Sequence, residues 1–221
     1  MRIKKSRWLA CVGGVALLFV GLVASDVSAG SKQLVRKGNV LFEENCVACH
    51  QKGGVGQAGV APSLTNKEFL SIASDKFLFE TIRDGRTDTP MPAFGEMLES
   101  DEDITAIVAY LRTFSQGKDL SSKVENARAA MGDPRLGKRW FQQVCEGCHG
   151  VRGQGGYDSE GSGTAIGKAG FLNKASDGFI RYIIKNGRSN TAMRGFSGPT
   201  GLANLSDQEI DDIISYLRIL Q

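Results

Sequence analysis

Cys46-Val47-Ala48-Cys49-His50 and Cys145-Glu146-Gly147-Cys148-His149 are two copies of one pattern, Cys-x-x-Cys-His. They hold both histidines of the 221-residue chain and four of its five cysteines. In this pattern each thiol can form a thioether to a haem vinyl group, while the adjacent imidazole ligates the iron from one face. The expected cofactors are two covalently bound haem c groups. Cys46, Cys49, Cys145 and Cys148 would attach them, with His50 and His149 as iron ligands. A zinc site would need further ligands beside each cysteine pair, and the chain has no other histidine. A thioredoxin-like motif needs a βαβ context, which these Gly-rich and helical surroundings do not offer. A disulfide framework does not predict histidine after the second cysteine twice over.

The first 29 residues read as a secretory signal. A basic stretch, Met1 to Arg7, is followed by an apolar run from Trp8 to Ala24 and by small residues up to Ala29. Cleavage after Ala29 would release the chain into the periplasm, an oxidising compartment suited to thioether attachment. The alternative is retention of the segment as a membrane anchor, for which its apolar run is at the short limit. Cys11 lies inside that run and is read as packing only. The segment carries four basic and one acidic residue, so the rest of the chain has 23 of each. With no net charge there is no electrostatic support for nucleic-acid binding. Residues 30–117 carry 9 basic and 12 acidic residues and residues 118–221 carry 14 and 11. This is the pattern of a dipolar molecule or of an ordinary solvated surface.

The two motifs head two similar segments. Gly38 and Phe42 precede the first as Gly137 and Phe141 precede the second. Downstream, Gly85-Arg86 recurs as Gly187-Arg188 and Met91 as Met193. Each segment ends in a stretch with helical spacing of apolar residues: Ile104, Ile107, Val108 and Leu111 in one, Ile210, Ile213, Ile214 and Leu217 in the other. Ser206 with Glu209 is a capping box for the second, and Ser100 with Asp103 a weaker version for the first. The helices ahead of the motifs are expected to start near Ser31 and at Asp133-Pro134, where an N-cap precedes a proline at the first helical position. The division is a signal at 1–29, a first domain at 30–117, a linker at 118–132 with a helical turn around Val124 to Ala130, and a second domain at 133–221.

On these residues each half resembles a class I cytochrome c domain, and the tandem is similar to dihaem cytochromes of the c4 type. The resemblance implies an all-α fold of two small helical domains, each wrapped around a haem. It also implies that Gly38 and Phe42 meet Tyr110, and that Gly137 and Phe141 meet Tyr216. A second axial ligand must be a methionine, because histidine is used up. Met91, in Thr89-Pro-Met-Pro-Ala-Phe94, matches the family's axial loop, with Met97 as competitor. Met193, at the repeat position, lacks the flanking prolines, and Met131 competes with it. Pro62 matches the family's proline whose carbonyl orients the ligating histidine. The second half has no proline there, so some other carbonyl must orient His149.

His/Met ligation at both irons leaves no open coordination position and implies single-electron transfer rather than catalysis. The carrier reading comes first: donors such as a quinol-oxidising complex or a dehydrogenase, and acceptors such as an oxidase or reductase. Second is a permanent haem subunit of a larger oxidoreductase, similar to the dihaem part of a cbb3-type oxidase. Third is a dihaem enzyme such as thiosulfate dehydrogenase, which would need an unusual axial position.

Overall fold

A computed structural model describes residues 20–156 and 162–221. Leu34–Gln221 form one compact unit, and the described residues before Leu34 belong to another. The leader expected at 1–29 lies outside the described residues up to position 19, and residues 20–29 are helical. Among the described residues no helix is long and apolar enough to cross a membrane.

Helix α1 runs Val20–Asn45. The expected start at Ser31 is therefore not a start: Ser25 to Ser31 contains no proline, the residue that would stop the helix outright. After it come α2 (Val47–His50), a 3-10 turn (Lys52–Gly54), α3 (Lys67–Ile72), α4 (Asp75–Asp84) and α5 (Asp101–Arg112). The short α6 (Ser121–Glu125) precedes the second series: α7 (Pro134–Val144), α8 (Glu146–His149), α9 (Ala169–Leu172), α10 (Asp177–Asn186) and α11 (Asp207–Arg218). Among the described residues the only β pairing is two isolated bridges. The all-α expectation holds, with α7 to α11 repeating the end of α1 through α5.

Side-chain caps set most of these starts. Asn66, Ser74 and Ser176 accept the amides of Phe69, Phe77 and Phe179. Asp133 caps α7 by accepting Arg135 N–H at 2.8 Å, with Pro134 following it. At α11 the box is reciprocal, Ser206 N–H donating to Glu209 at 2.7 Å and Glu209 N–H to Ser206 Oγ at 3.3 Å. At α5, Asp103 accepts the amides of Glu99 and Ser100.

In each half the helix before the motif crosses the terminal helix at a glycine. A Cβ on Gly38 would lie 1.8 Å from Ala106 O, and one on Gly137 would lie 1.8 Å from Asp212 O. That close approach seats Phe42 on Tyr110, ring centroids 5.3 Å apart, and Phe141 on Tyr216 at 5.4 Å. An arginine then clamps each terminal helix to the rest of its half. Arg112 donates to Asp75 and to the carbonyls of Leu70 and Ala73; Arg218 donates to Asp177 and to those of Leu172 and Ala175. These bonds satisfy carbonyls left open at the ends of α3 and α9.

The expected linker is not a loose one. Its helical turn lies at Ser121–Glu125, earlier than the sequence suggests, and Val124 is buried. Leu120 N–H donates to Ser71 O at 2.6 Å and Ser176 Oγ to Val124 O at 3.1 Å, so the segment is fastened to both halves. Between the halves Phe77 and Phe179 stack at 4.9 Å, with Phe69 and Phe171 packed edge-on against Phe179. The two halves share one core within Leu34–Gln221.

Candidate functional site

Cys46, Cys49 and His50 fall at i, i+3 and i+4 of one helical turn, as do Cys145, Cys148 and His149, so each trio shares a face. Cys46 and Cys145 are half-buried and Cys49 and Cys148 exposed, and none of the four is in a disulfide. Burial pushes the Cys46 thiol up to about 11 and Cys145 to about 12. That is the reverse of the lowered thiol of a thioredoxin-like centre. Among the described residues no cluster of three or more His, Cys, Asp or Glu could hold a metal.

Each histidine ring is fixed by a backbone carbonyl. His50 Nδ1 lies 2.9 Å from Pro62 O, as the proline predicts. His149 Nδ1 lies 2.7 Å from Thr164 O, which is the carbonyl the second half needed. A carbonyl only accepts, so Nδ1 carries the proton in both rings and Nε2 keeps its lone pair. Burial holds both imidazoles below the ordinary histidine value, opposed by these bonds. Thr164 was legible in one way: it follows Pro62 by 102 positions, the offset of the Gly-Arg and methionine pairs downstream. The motifs themselves are offset by 99, so three added residues in the intervening loop hide the match.

The two methionine loops are alike despite the missing prolines. Arg86 N–H donates to Met91 O at 3.1 Å and Arg188 N–H to Met193 O at 2.7 Å. Thr89 and Thr191 each accept the methionine amide, at 3.3 and 3.1 Å, and donate to Arg86 O and Arg188 O at 2.7 and 2.8 Å. Asp88 and Asn190 take the same left-handed backbone, φ 60° and 59°. Threonine hydroxyls and the turn thus do in the second loop what the prolines seemed needed for. Met91 and Met193 are half-buried, whereas the competitors Met97 and Met131 are 61% and 78% exposed.

Sequence reasoning missed the side chains of Arg86 and Arg188, although the recurring Gly-Arg pair marked their positions. Arg86 reaches across to Ala165 O at 2.6 Å and lies over the Phe171 ring at 5.0 Å. Arg188 reaches back to Ser63 O at 2.6 Å and lies over Phe69 at 5.0 Å. Burial pushes Arg188 down to about 10, with Glu68 opposing and Arg86 adding to the effect, so it stays charged at neutral pH. Glu68 is itself bonded to Ser189 N–H and Oγ. Arg188 Nε is buried without a hydrogen-bond partner.

Residues 33–111 match the family described as cytochrome c oxidase, cbb3-type, subunit III, and residues 135–221 match the family described as cytochrome c. The chain is a dihaem cytochrome c. Its two domains carry two covalently bound haem c groups. The chain is 29% identical over 205 residues to the cbb3-type cytochrome c oxidase subunit CcoP of Rubrivivax gelatinosus, covering 92% of this chain and 60% of that protein. It is 41% identical over 83 residues to the subunit FixP of Bradyrhizobium diazoefficiens, covering 37% of this chain and 28% of that protein. The dihaem cytochrome thus spans at most about 60% of the length of these relatives. A solved chain of the reducing HAO-like complex of Kuenenia stuttgartiensis aligns with TM-score 0.47 and 19% identity, over 83% of this chain and 95% of that one.

The residues present fit the cofactor. Each half offers two thiols on one helical face, an imidazole with Nε2 held available, and a thioether on a braced loop. The unpartnered Arg188 Nε–H is a buried donor suited to a carboxylate of the group.

Proposed function

We propose that this cytochrome passes single electrons through its two haems as a bound subunit of a larger membrane oxidoreductase on the periplasmic side, the second of the readings drawn from the sequence. The observation that carries it is the alignment with a cbb3-type oxidase subunit along both halves, together with the subunit III match over residues 33–111. The free carrier becomes the second reading, and similarity to the c4 type is not what the relatives favour. Retention of the N-terminal segment would supply the attachment to the membrane.

His50 with Met91, and His149 with Met193, are the proposed axial pairs, with the four motif cysteines as thioether attachments. When bound, haem c supplies one-electron exchange at iron, at a potential raised by thioether relative to bis-histidine ligation. The chain's own residues orient the imidazoles through Pro62 O and Thr164 O and hold the thioethers through the Thr89 and Thr191 turns. No histidine remains for distal acid-base chemistry, which favours electron transfer over catalysis.

Two measurements test this. The tagged protein, extracted from membranes in mild detergent, is expected to run on native gels in an assembly much heavier than itself that survives a high-salt wash. Recovery as a soluble monomer would restore the carrier reading. For the ligands, the ferric protein is expected to show the sulfur-to-iron charge-transfer band at about twice the intensity of a monohaem His/Met cytochrome. Substituting Met91 or Met193 should each remove about half of it. Half intensity in the parent protein would remove one methionine from the assignment.

A further inference from the structure

The interface bonds of Arg86 and Arg188 cross over. Through its backbone Arg188 braces Met193, its N–H on Met193 O and its O on the Thr191 hydroxyl. Through its guanidinium it holds Ser63 O, one residue beyond the Pro62 carbonyl that fixes His50. Arg86 does the converse: its backbone braces Met91 and its guanidinium holds Ala165 O, one residue beyond the Thr164 carbonyl that fixes His149. Each side chain lies over a phenylalanine of the opposite half, Phe69 or Phe171, so the reach across the interface is held along its length.

We propose that Arg86 and Arg188 are positioning residues that couple the two iron sites crosswise, each tying the methionine loop of one haem to the histidine-orienting segment of the other. The inference rests on the ligand assignment proposed above. A displacement of the Met193 loop moves the Arg188 backbone, and the guanidinium carries that movement to the peptide beside Pro62. The basicity of a ligating imidazole follows the strength of its Nδ1–H bond, so the ligand field at each iron depends on the other half. The planar fork of arginine, lying over an aromatic ring, is not reproduced by lysine.

The chain's two histidines make the test direct, because histidine labelled with nitrogen-15 reports on His50 and His149 alone. In the ferrous holoprotein their Nδ1–H resonances are told apart through the residue that follows each, Gly150 after His149 and Gln51 after His50. Arg188→Gln is expected to shift the His50 resonance and speed its solvent exchange about fivefold, leaving His149 in place. Arg86→Gln is expected to act on His149 and spare His50. Arg188→Lys, which keeps the charge, should move His50 in the same direction by less, and it decides the matter if Arg188→Gln does not accumulate. A shift of the residue's own half alone, equal shifts of both, or no shift overturns the proposal. The charge-transfer band is followed in the same samples after oxidation to the ferric state. Its absence from the parent protein would fail the methionine assignment, while the crosswise histidine shifts are read independently of it.

Discussion

Replacing Gly137 with alanine is expected to destabilise the protein by about 3 kcal/mol, because the added methyl has no space. Its Cβ would sit 1.8 Å from Asp212 O and 2.3 Å from the carbonyl carbon, both rigid backbone of α11. Alanine in place of a helical glycine gains about 1 kcal/mol from backbone entropy, so two effects oppose each other. The clash prevails because α7 and α11 must part, and parting lifts Phe141, fully buried, away from Tyr216. Gly147→Ala separates the two effects, since a Cβ there meets nothing within 4 Å. Urea denaturation followed by far-ultraviolet circular dichroism gives the comparison. A Gly137→Ala midpoint equal to that of Gly147→Ala would show that the crossing is not held at van der Waals contact.

Asp211→Asn should cost about 3 kcal/mol at neutral pH, the usual loss when one member of a buried ion pair is removed. Asp211 is 1% exposed and accepts from Arg181 Nε at 2.8 Å and from Arg128 Nη1 at 2.5 Å. Asparagine would leave the two guanidiniums facing a neutral amide. Burial by itself would raise the Asp211 carboxyl, but the bonds from Arg181 and Arg128 outweigh it and hold the group below the ordinary aspartate value. With the folded pKa below the unfolded one, the stabilisation is complete above about pH 4 and is lost as pH falls through the folded value. The parent should therefore lose stability on acidification more steeply than Asp211→Asn. Asp207→Asn, at an exposed pair with Lys185, should fall within about 1 kcal/mol of the parent. Parallel acid profiles for parent and Asp211→Asn would show that the pairing contributes nothing.

What was legible in the sequence was what local pattern encodes. The pentapeptides gave the cofactors, and apolar spacing gave α5 and α11. Hydroxyl and carboxylate caps gave helix starts at Asp133 and Ser206, and Pro62 gave the partner of His50. Distance in the chain hid the rest. Arg188 finds Ser63 across 125 positions and Arg86 finds Ala165 across 79, and no periodicity relates residues that far apart. The packing of the linker was not legible because its composition is polar while its few apolar residues do the packing. Val124 is buried although its neighbours Lys123 and Glu125 are exposed. The second methionine loop looked unsupported because proline is visible in a sequence, whereas a threonine hydroxyl bridging an amide and a carbonyl is not.

The anchoring of α6 has a consequence for timing. Two domains on a free tether meet at an effective concentration set by tether length and sample many separations. Here Leu120 is bonded to Ser71 on one side and Val124 to Ser176 on the other. The segment therefore offers no hinge for domain swings of the kind that run over microseconds to milliseconds. In the proposed function, electrons then pass between the two halves across one standing separation instead of waiting for a rare close encounter.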